Sequence, residues 1–286
     1  MDYHGYSITK DNVLSDGKTI RWRVEPHGES AIAAKDGKAY YVWRDTEVLY
    51  PDAGRLSAIF PDKAMLSKVL AAKAAPFKER LEARGEVKDR LMDLDLEKDH
   101  VCKIVDVFQD DESHLAVVSE AIERGEYIES VTLSDADYLA LCLEMAKLVQ
   151  KIHDRKVVHG QIRLESFVLA RSGKPYLVDF TVALPEERKL GGCHYENQKP
   201  FMAPEIRNRD KVNAEAPLSK AVDIYALGVV FFYLRAQAHY KPGVMFSKEF
   251  DLEVKGGSLS SLLARMLDEN AENRPSIAEV VEALCR

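Results

Sequence analysis

Cysteine is scarce in this chain, and the few cysteines form no recognisable pair. The 286 residues contain four cysteines, all widely separated and none in a CxxC arrangement. This spacing indicates neither a zinc site nor a redox motif. It predicts a protein of the reduced cytosol, and a secreted bacterial effector that folds in a host cytosol fits the same pattern.

Long apolar runs, a signal peptide and an excess of basic charge are also missing. The longest apolar run, residues 225–234, is too short to span a bilayer and predicts a buried core helix. The first five residues are polar and lack the basic start and apolar run of a signal peptide. A formal net charge of −7 disfavours nonspecific nucleic-acid binding and attachment to an anionic membrane. We therefore expect no nucleic-acid partner and no membrane insertion.

The remaining composition is that of a globular protein with both strands and helices. Apolar residues make up 46% and charged residues 30% of the chain, and its length allows one large domain or two lobes. Residues 31–35 and 39–44 alternate around the turn Asp36-Gly37-Lys38, which predicts a hairpin. Ser134 and Ser276 each precede an apolar stripe of helical spacing, and each has an acidic residue three positions later, as helix N-caps do.

The most informative stretch runs over residues 159–169 and continues at residues 178–181. Between these two segments, Ser172-Gly173 and Lys174-Pro175 mark a tight turn, and the flanking apolar runs 167–170 and 176–178 predict a small hairpin. The stretch resembles the catalytic loop and the metal loop of protein kinases, H-R-D-L-x-x-x-N followed by D-F-G.

Further motifs follow in the order in which protein kinases carry them. Met202-Ala203-Pro204-Glu205 resembles A-P-E, and residues 219–229 resemble the buried helix whose aspartate, here Asp223, caps the catalytic-loop backbone. Arg274 resembles the arginine that forms a buried ion pair with the glutamate of A-P-E, here Glu205. The resemblance covers roughly residues 20–286 and implies a bilobal α+β kinase-like fold, with a β-rich N-lobe at 1–122 and a mainly helical C-lobe at 123–286.

In the predicted N-lobe, the positions that handle phosphate in the family have changed. Glu25, His27 and Ser30 stand where the family has the three glycines of its phosphate loop, which leave room for phosphates close to the backbone. Arg44 takes the place of the lysine that pairs with phosphates, and a guanidinium does not substitute for a compact ammonium there. Glu120, in the segment 119–126 that resembles the hinge between lobes, is the other candidate nucleotide contact.

The helical part of the predicted N-lobe is harder to align with the family. We expect residues 45–61 to be irregular and residues 62–75 and 77–94 to form two helices separated by Pro76. The first helix is interpreted as an insertion. The second resembles the family's αC helix, and its glutamate partner for the lysine is Glu82, Glu86 or Asp89, since the sequence leaves the register open.

The predicted catalytic positions have changed as well. Gln161 replaces the catalytic aspartate, and Ser166 replaces the asparagine that helps to hold magnesium. Arg163 replaces the nearby lysine and keeps its charge, whereas Asp179 alone survives of the metal ligands. Loss of a positioned general base typically costs roughly 10²–10⁴ in rate. The resemblance therefore implies a pseudokinase in which none of the degenerate positions is functional and Asp179 is the one candidate metal ligand.

Three functions agree with these residues. One is a protein-interaction or allosteric module of kinase shape, whose partner is an active kinase or another enzyme. Another is an active or atypical enzyme that transfers a phosphoryl or nucleotidyl group, and the third is a nucleotide sensor. No cofactor is firmly implied, and ATP with magnesium is expected to bind weakly or not at all.

Overall fold

The computed structural model describes residues 2–8, 12–13, 19–20, 22–25, 28–45, 51–60, 62–122, 128, 133–188, 200–207 and 218–285. The chain divides into two compact units. The N-terminal unit comprises Met1–Met92 and Lys103–Ile122. The C-terminal unit comprises Asp93–Cys102 and most of the chain from Glu123 onward.

The N-terminal unit is built around one antiparallel sheet. Its strands follow the order β1-β2-β6-β7-β9-β8, and β5 pairs with β6 beside β2. Strands β3 and β4 form a separate pair. The strands are β1 (Asp2–Tyr3), β2 (Tyr6–Ile8), β3 (Asn12–Val13), β4 (Thr19–Ile20), β5 (Arg23–Glu25), β6 (Gly28–Lys35), β7 (Lys38–Asp45), β8 (Ile104–Gln109) and β9 (Leu115–Glu120).

The hairpin predicted around Asp36-Gly37 is confirmed and extends further than its alternating pattern. Both turn residues have positive φ, +51° and +75°, as a two-residue hairpin turn requires. Strand β6 begins at Gly28, so Gly28–Ser30 belong to the sheet and not to the expected loop. A Cβ at Gly28 would lie 2.3 Å from the carbonyl oxygen of Arg44, so only glycine lets the strands meet there.

The helices of this unit correct two expectations. Residues 53–59, expected to be irregular, form helix α1 (Ala53–Ile59), because the carboxylate of Asp52 caps the first turn. The two helices expected around Pro76 are one helix of 29 residues, α2 (Lys63–Leu91). Proline costs one backbone hydrogen bond, but the alanines at 71, 72, 74 and 75 have the highest helix propensity, and Ala74 and Phe77 are buried beside it.

The C-terminal unit is mainly helical. Helix α6 (Ala221–Ala236) is its buried centre, which confirms the core helix predicted from the apolar run. Ser134 caps the helix that begins at Asp135, and Ser276 with Glu279 forms a complete capping box on the helix that begins at Ile277. The other helices are α3 (Leu96–Asp99), α4 (Asp135–His153), α5 (Pro204–Arg207), α7 (Leu259–Met266) and α8 (Ile277–Leu284).

Short strands complete the C-terminal unit. The hairpin predicted beside the central loop is confirmed as β11 (Phe167–Leu169) and β12 (Pro175–Leu177). A 3-10 helix, Leu164–Ser166, leads directly into β11. The remaining strands are β10 (Val157–Val158), β13 (Leu184–Pro185), β14 (Glu253–Val254) and β15 (Gly257–Ser258), paired as β10–β13 and β14–β15.

One β-rich and one mainly helical unit confirm the expected α+β class. Across the described ranges, no helix is both long and apolar enough to cross a membrane.

Candidate functional site

The central loop of the C-terminal unit is anchored on Asp223, at the start of α6. The backbone N–H groups of His159 and Gly160 each donate to this carboxylate over 2.8 Å. The Nε2 atom of His153 lies 2.9 Å from the same carboxylate. Gly160 has φ +73°, which a glycine adopts without strain. Because Asp223 is fully buried, these bonds hold the loop backbone in one conformation.

The residues at the two substituted catalytic positions, Gln161 and Ser166, are hydrogen-bonded to each other within the loop. The hydroxyl of Ser166 donates to the carbonyl oxygen of Gln161 over 3.0 Å and accepts from the N–H of Arg163 over 3.2 Å. Ser166 is fully buried, so its oxygen is a loop contact and not an exposed cation ligand. The side-chain Oε1 atom of Gln161 is buried and has no hydrogen-bond partner among the described residues.

Asp179 is bound by two neighbours. Its Oδ2 atom accepts from the guanidinium of Arg163 over 3.2 Å, and its Oδ1 atom accepts from the hydroxyl of Thr181 over 2.7 Å. Its backbone has φ +68°, a left-handed conformation that aspartate tolerates better than most residues. Both oxygens of the one candidate metal ligand are therefore occupied by protein donors.

A magnesium ion at Asp179 would have to compete with Arg163 and Thr181. Magnesium is usually bound through one or two carboxylates together with phosphates and waters. Throughout the described parts of the chain, no group of three or more His, Cys, Asp or Glu side chains is placed to hold a metal. Near Asp179 the available charge is already balanced by Arg163, a cation that occupies the carboxylate in the way a metal would.

Arg44 belongs to a cluster of carboxylates in the N-terminal unit. Its Nε atom donates to Glu29 over 2.7 Å, and its Nη1 atom lies 3.0 Å from Glu112 and 3.6 Å from Asp110. The guanidinium also lies 4.3 Å from the centre of the Trp22 ring. Burial lowers the pKa of Arg44, but the bond to Glu29 and the other acidic groups outweigh it and raise the pKa. Arg44, expected to be a weak nucleotide contact, donates to the acidic residues of this cluster.

Asp110 is the buried centre of the same cluster. It accepts from the hydroxyl of Tyr3 over 2.7 Å and from the N–H of His114 over 2.7 Å. Burial raises the pKa of this carboxyl, but the hydrogen bonds from Tyr3 and His114 hold it below its usual value. The cluster thus ties the β1 end of the sheet to the turn between β8 and β9.

An ion pair between the sheet and α2 has the opposite polarity from the one expected. Asp45, the residue after Arg44, forms it with Arg80 of α2, and both side chains are largely buried. Because successive residues of a strand point to opposite faces, Arg44 faces away from α2. The three acidic residues considered as partners for the lysine, Glu82, Glu86 and Asp89, are not the residues that form this pair with β7.

Glu120, the remaining candidate contact, is the last residue of β9. Its backbone N–H donates to the carbonyl oxygen of Lys103 over 3.0 Å, so it continues the sheet. Residues 123–126 of the hinge-like segment and His27 of the expected phosphate loop lie outside the described residues.

The pairing of Glu205 with Arg274 is bidentate. The two N···O distances are 2.6 Å and 2.8 Å, and the arginine also donates to the carbonyl oxygens of Ala221 and Asp268 over 2.9 Å. The guanidinium side is fully buried, whereas 33% of the Glu205 side chain is exposed. The expectation of a buried pair therefore holds for the arginine and is wrong for the glutamate.

The ion-pair partners of Asp45 and Arg44 were not predicted from the sequence. Neither Asp45–Arg80 nor Arg44–Asp110 was anticipated, because both pairs join residues that are distant in the chain. A strand signal was available for the first pair, since Asp45 continues the alternation of β7 and therefore points to the face opposite Arg44.

Comparison with known proteins agrees with this geometry. The family model for the protein kinase domain matches residues 62–284, which is more than half of the chain. A probable serine/threonine-protein kinase of Dictyostelium discoideum is 26% identical over 189 residues, covering 60% of this chain and 24% of that protein. Serine/threonine-protein kinase Nek1 of Mus musculus is 24% identical over 229 residues, covering 72% of this chain and 18% of that protein.

A third relative, serine/threonine-protein kinase PAK 5 of Rattus norvegicus, is 29% identical over 125 residues, covering 41% of this chain and 16% of that protein. The matches to these three relatives thus span a quarter or less of each relative's length. The family generally uses ATP and magnesium. With the anchored loop, the A-P-E segment and the family match in agreement, this chain belongs to the protein kinase domain family.

Proposed function

We propose that this chain is a pseudokinase, a module of kinase fold that binds a partner protein and regulates it. We propose that it binds ATP weakly or not at all. The observation that carries the proposal is the occupation of Asp179. Its carboxylate, the metal ligand that kinases require, is bound by Arg163 and Thr181. With Gln161 and Ser166 at the other two positions, the loop lacks a carboxylate base and a second metal ligand.

The partner class that we propose is a protein, either an active kinase or another enzyme that the module regulates. We also propose that it works in a reduced cytosol, of its own cell or of a host. Cys102 and Cys142 support this location, since both are buried free thiols. Burial raises the pKa of Cys142 to about 12, so it remains protonated and unreactive at neutral pH.

A transfer assay with the purified chain tests this proposal. The chain is incubated with labelled ATP and with magnesium or manganese, and transfer of both phosphate and AMP to itself and to generic substrates is measured. We expect no transfer above that of Asp179→Ala. Transfer above background that disappears in Asp179→Ala would show an active enzyme, the alternative that the names of the relatives suggest.

The variant Gln161→Asp sharpens the assay. It restores the carboxylate base but leaves Asp179 paired with Arg163 and Ser166 bound within the loop. We expect this variant to remain inactive. A clear gain of activity would mean that the base was the one missing part and that Asp179 exchanges Arg163 for a metal.

A further inference from the structure

The first part of the long helix α2 has no buried residue. Together with α1 it forms what we call the helical arm, residues 53–60 and 62–73. None of these residues is buried, and the first buried residue of α2 is Ala74. Because an α-helix rises about 1.5 Å per residue, the arm extends about 16 Å beyond the part of α2 that packs in the N-terminal unit.

The charge of the arm is opposite to that of the whole chain. From Lys63 to Lys78, α2 contains four lysines and no acidic residue, although the chain has a net charge of −7. The two acidic residues beside the arm's cations, Asp52 and Asp62, are the N-caps of α1 and α2. The exposed surface of the arm is therefore basic on an otherwise acidic protein.

The lysines of the arm point in different directions around the helix. Lys63, Lys68 and Lys73 are exposed and follow one another at intervals of five residues. Each interval corresponds to a rotation of about 140° around the helix axis, so no single face of α2 carries all three. A protein that docks on one face would leave at least one lysine outside the contact. A layer of anionic groups around the end of the helix attracts the lysines whatever their direction.

The end of the arm is apolar. Ile59, at the end of α1, is 65% exposed, and Met65, in the first turn of α2, is 54% exposed. Their burial is favoured by about 25 cal/mol for each Å² of apolar surface removed from water. Apolar burial and the attraction of nearby lysines are the two contributions by which peripheral segments bind an anionic membrane.

We propose that the helical arm attaches the chain, end first, to the surface of a membrane that contains anionic lipids. Ile59 and Met65 enter the boundary between headgroups and acyl chains, which interfacial segments reach at a depth of about 5–10 Å. Lys63 then lies at the level of the headgroups, and Lys68 lies about 7.5 Å further along α2, within a Debye length of them. The arm binds one face of the bilayer and does not cross it.

The net charge of −7, which disfavours attachment to an anionic membrane, determines the orientation of the bound chain. The rest of the surface is acidic and is repelled by anionic lipids, so only the arm is attracted. Because α2 continues past Pro76 to Arg80, which pairs with Asp45 of the sheet, an attached arm holds the N-terminal unit at the membrane. This inference does not depend on whether the chain transfers phosphate.

Vesicle binding by the full chain tests the inference. The chain is sedimented with vesicles of phosphatidylcholine alone and with vesicles in which about a third of the lipid is phosphatidylserine, at low and at high salt. We expect binding to the anionic vesicles only, with at least a tenfold loss at high salt.

Charge-reversal variants identify the surface that binds. We expect the double variant Lys63→Glu, Lys68→Glu to lose at least tenfold in affinity for the anionic vesicles. The matched control is Lys241→Glu with Lys248→Glu, which changes the net charge equally at exposed positions of the C-terminal unit. We expect the control to bind like the wild type.

A second set of variants tests the apolar end and the depth of the arm. We expect at least a tenfold loss for Ile59→Ser with Met65→Ser, and none for Val244→Ser with Met245→Ser, which are exposed apolar residues of the C-terminal unit. Lipids with brominated acyl chains should quench the added fluorescence of Met65→Trp. They should not quench that of Ala72→Trp, which lies about 10 Å further along α2.

Several outcomes would overturn the inference. These are no binding to anionic vesicles, equally strong binding to neutral vesicles, equal losses in the arm variants and their controls, and equal quenching at positions 65 and 72, which would show an arm that lies flat. The last is binding of fluorescent polyglutamate that requires Lys63 and Lys68 in a chain that does not bind vesicles. That result would identify an acidic protein surface as the occupant.

Discussion

Two sets of residues in the C-terminal unit lie at positions of kinase motifs, and they differ in whether they have the residue type of the motif. Asp223, Glu205 and Arg274 retain both the residue type and the contacts that the family motifs imply. Gln161 and Ser166 have changed, and the hydroxyl of the serine now closes the loop on its own backbone. Asp223 of the first set therefore anchors the loop backbone, and Ser166 of the second set adds a contact within the loop.

The energetic reason is burial. Asp223 satisfies two N–H groups of the loop, and Arg274 binds one carboxylate and three carbonyl oxygens. Loss of such a partner leaves buried polar groups without bonds, at about 1–3 kcal/mol each. A change at position 161 or 166 leaves the bonds to Asp223 intact. Folding thus constrains the anchor more strongly than it constrains positions 161 and 166.

The largest effect is expected where the anchor is broken. Arg274→Ala leaves Glu205 and three carbonyl oxygens without their donor, at about 1–3 kcal/mol for each unsatisfied group that is buried, so we expect a loss of about 3–5 kcal/mol in the free energy of unfolding. For a chain of this size the melting temperature should fall by about 10 °C. Thermal unfolding followed by circular dichroism measures it.

The matched control is Arg265→Ala. Arg265 pairs with Glu279 over 3.2 Å, but both side chains are 55% exposed, so we expect a loss below about 1 kcal/mol. Equal melting temperatures for the two alanine variants would show that the anchor contributes no more than a surface pair.

The Arg44 cluster allows a similar test in the N-terminal unit, in which stability is measured as a function of pH. A carboxyl whose pKa is depressed in the folded chain adds stability above its unfolded pKa, and that stability is lost as the pH falls through the folded value. Asp110 is such a group. We expect Asp110→Asn to lower the free energy of unfolding by about 1.5–3 kcal/mol at pH 7.

The difference between Asp110→Asn and the wild type should shrink below about pH 4, where the carboxyl of the unfolded chain takes up a proton before that of the folded chain. Urea unfolding at pH 7 and at pH 3 measures both values. A difference that stays constant over this range would contradict a charged Asp110 at the centre of the cluster.

A smaller effect is expected where the loop is closed by Ser166. Ser166→Ala removes the acceptor for the N–H of Arg163 and the donor to Gln161, at a cost of about 1–3 kcal/mol. Ser172→Ala, at an exposed turn position, should be nearly neutral. If instead Ser166→Ala unfolds like the wild type, the hydroxyl is available for another role and the comparison weakens.

The smallest effect is expected from nucleotide. A site saturated at a hundredfold over its Kd would stabilise the fold by about 2.7 kcal/mol. That corresponds to a melting shift of about 5–10 °C. We expect a far smaller shift with millimolar ATP and magnesium, because Asp179 and Arg44 are both occupied. A large shift that requires magnesium and disappears in Asp179→Ala would favour a working nucleotide site.

The parts that sequence predicts best are those set by local chemistry. The turn Asp36-Gly37, the caps at Ser134 and Ser276, and the hairpin after the central loop follow from short patterns, and all are confirmed. The family motifs pointed to Asp223 and to the pair of Glu205 with Arg274, and the structure shows the corresponding contacts.

What sequence could not predict depends on contacts between distant residues. Pro76 signals a helix break, yet the alanine-rich turn around it and the burial of Phe77 keep α2 continuous. Arg44 aligns with the family's lysine in order along the chain. The face to which it points follows from the pairing of β6 with β7 and from Asp45 facing Arg80, neither of which a motif contains.

The reversed pair between β7 and α2 has a consequence for single substitutions. Kinases join these elements with a lysine on the strand and a glutamate on the helix, and this chain joins them with Asp45 and Arg80. Changing Asp45 alone to lysine would place two cations together in a largely buried position. Changing Arg80 alone to glutamate would do the same with two anions. Each single change is therefore expected to lower stability, so the two positions should be energetically coupled, and a reversal of polarity would require both changes together.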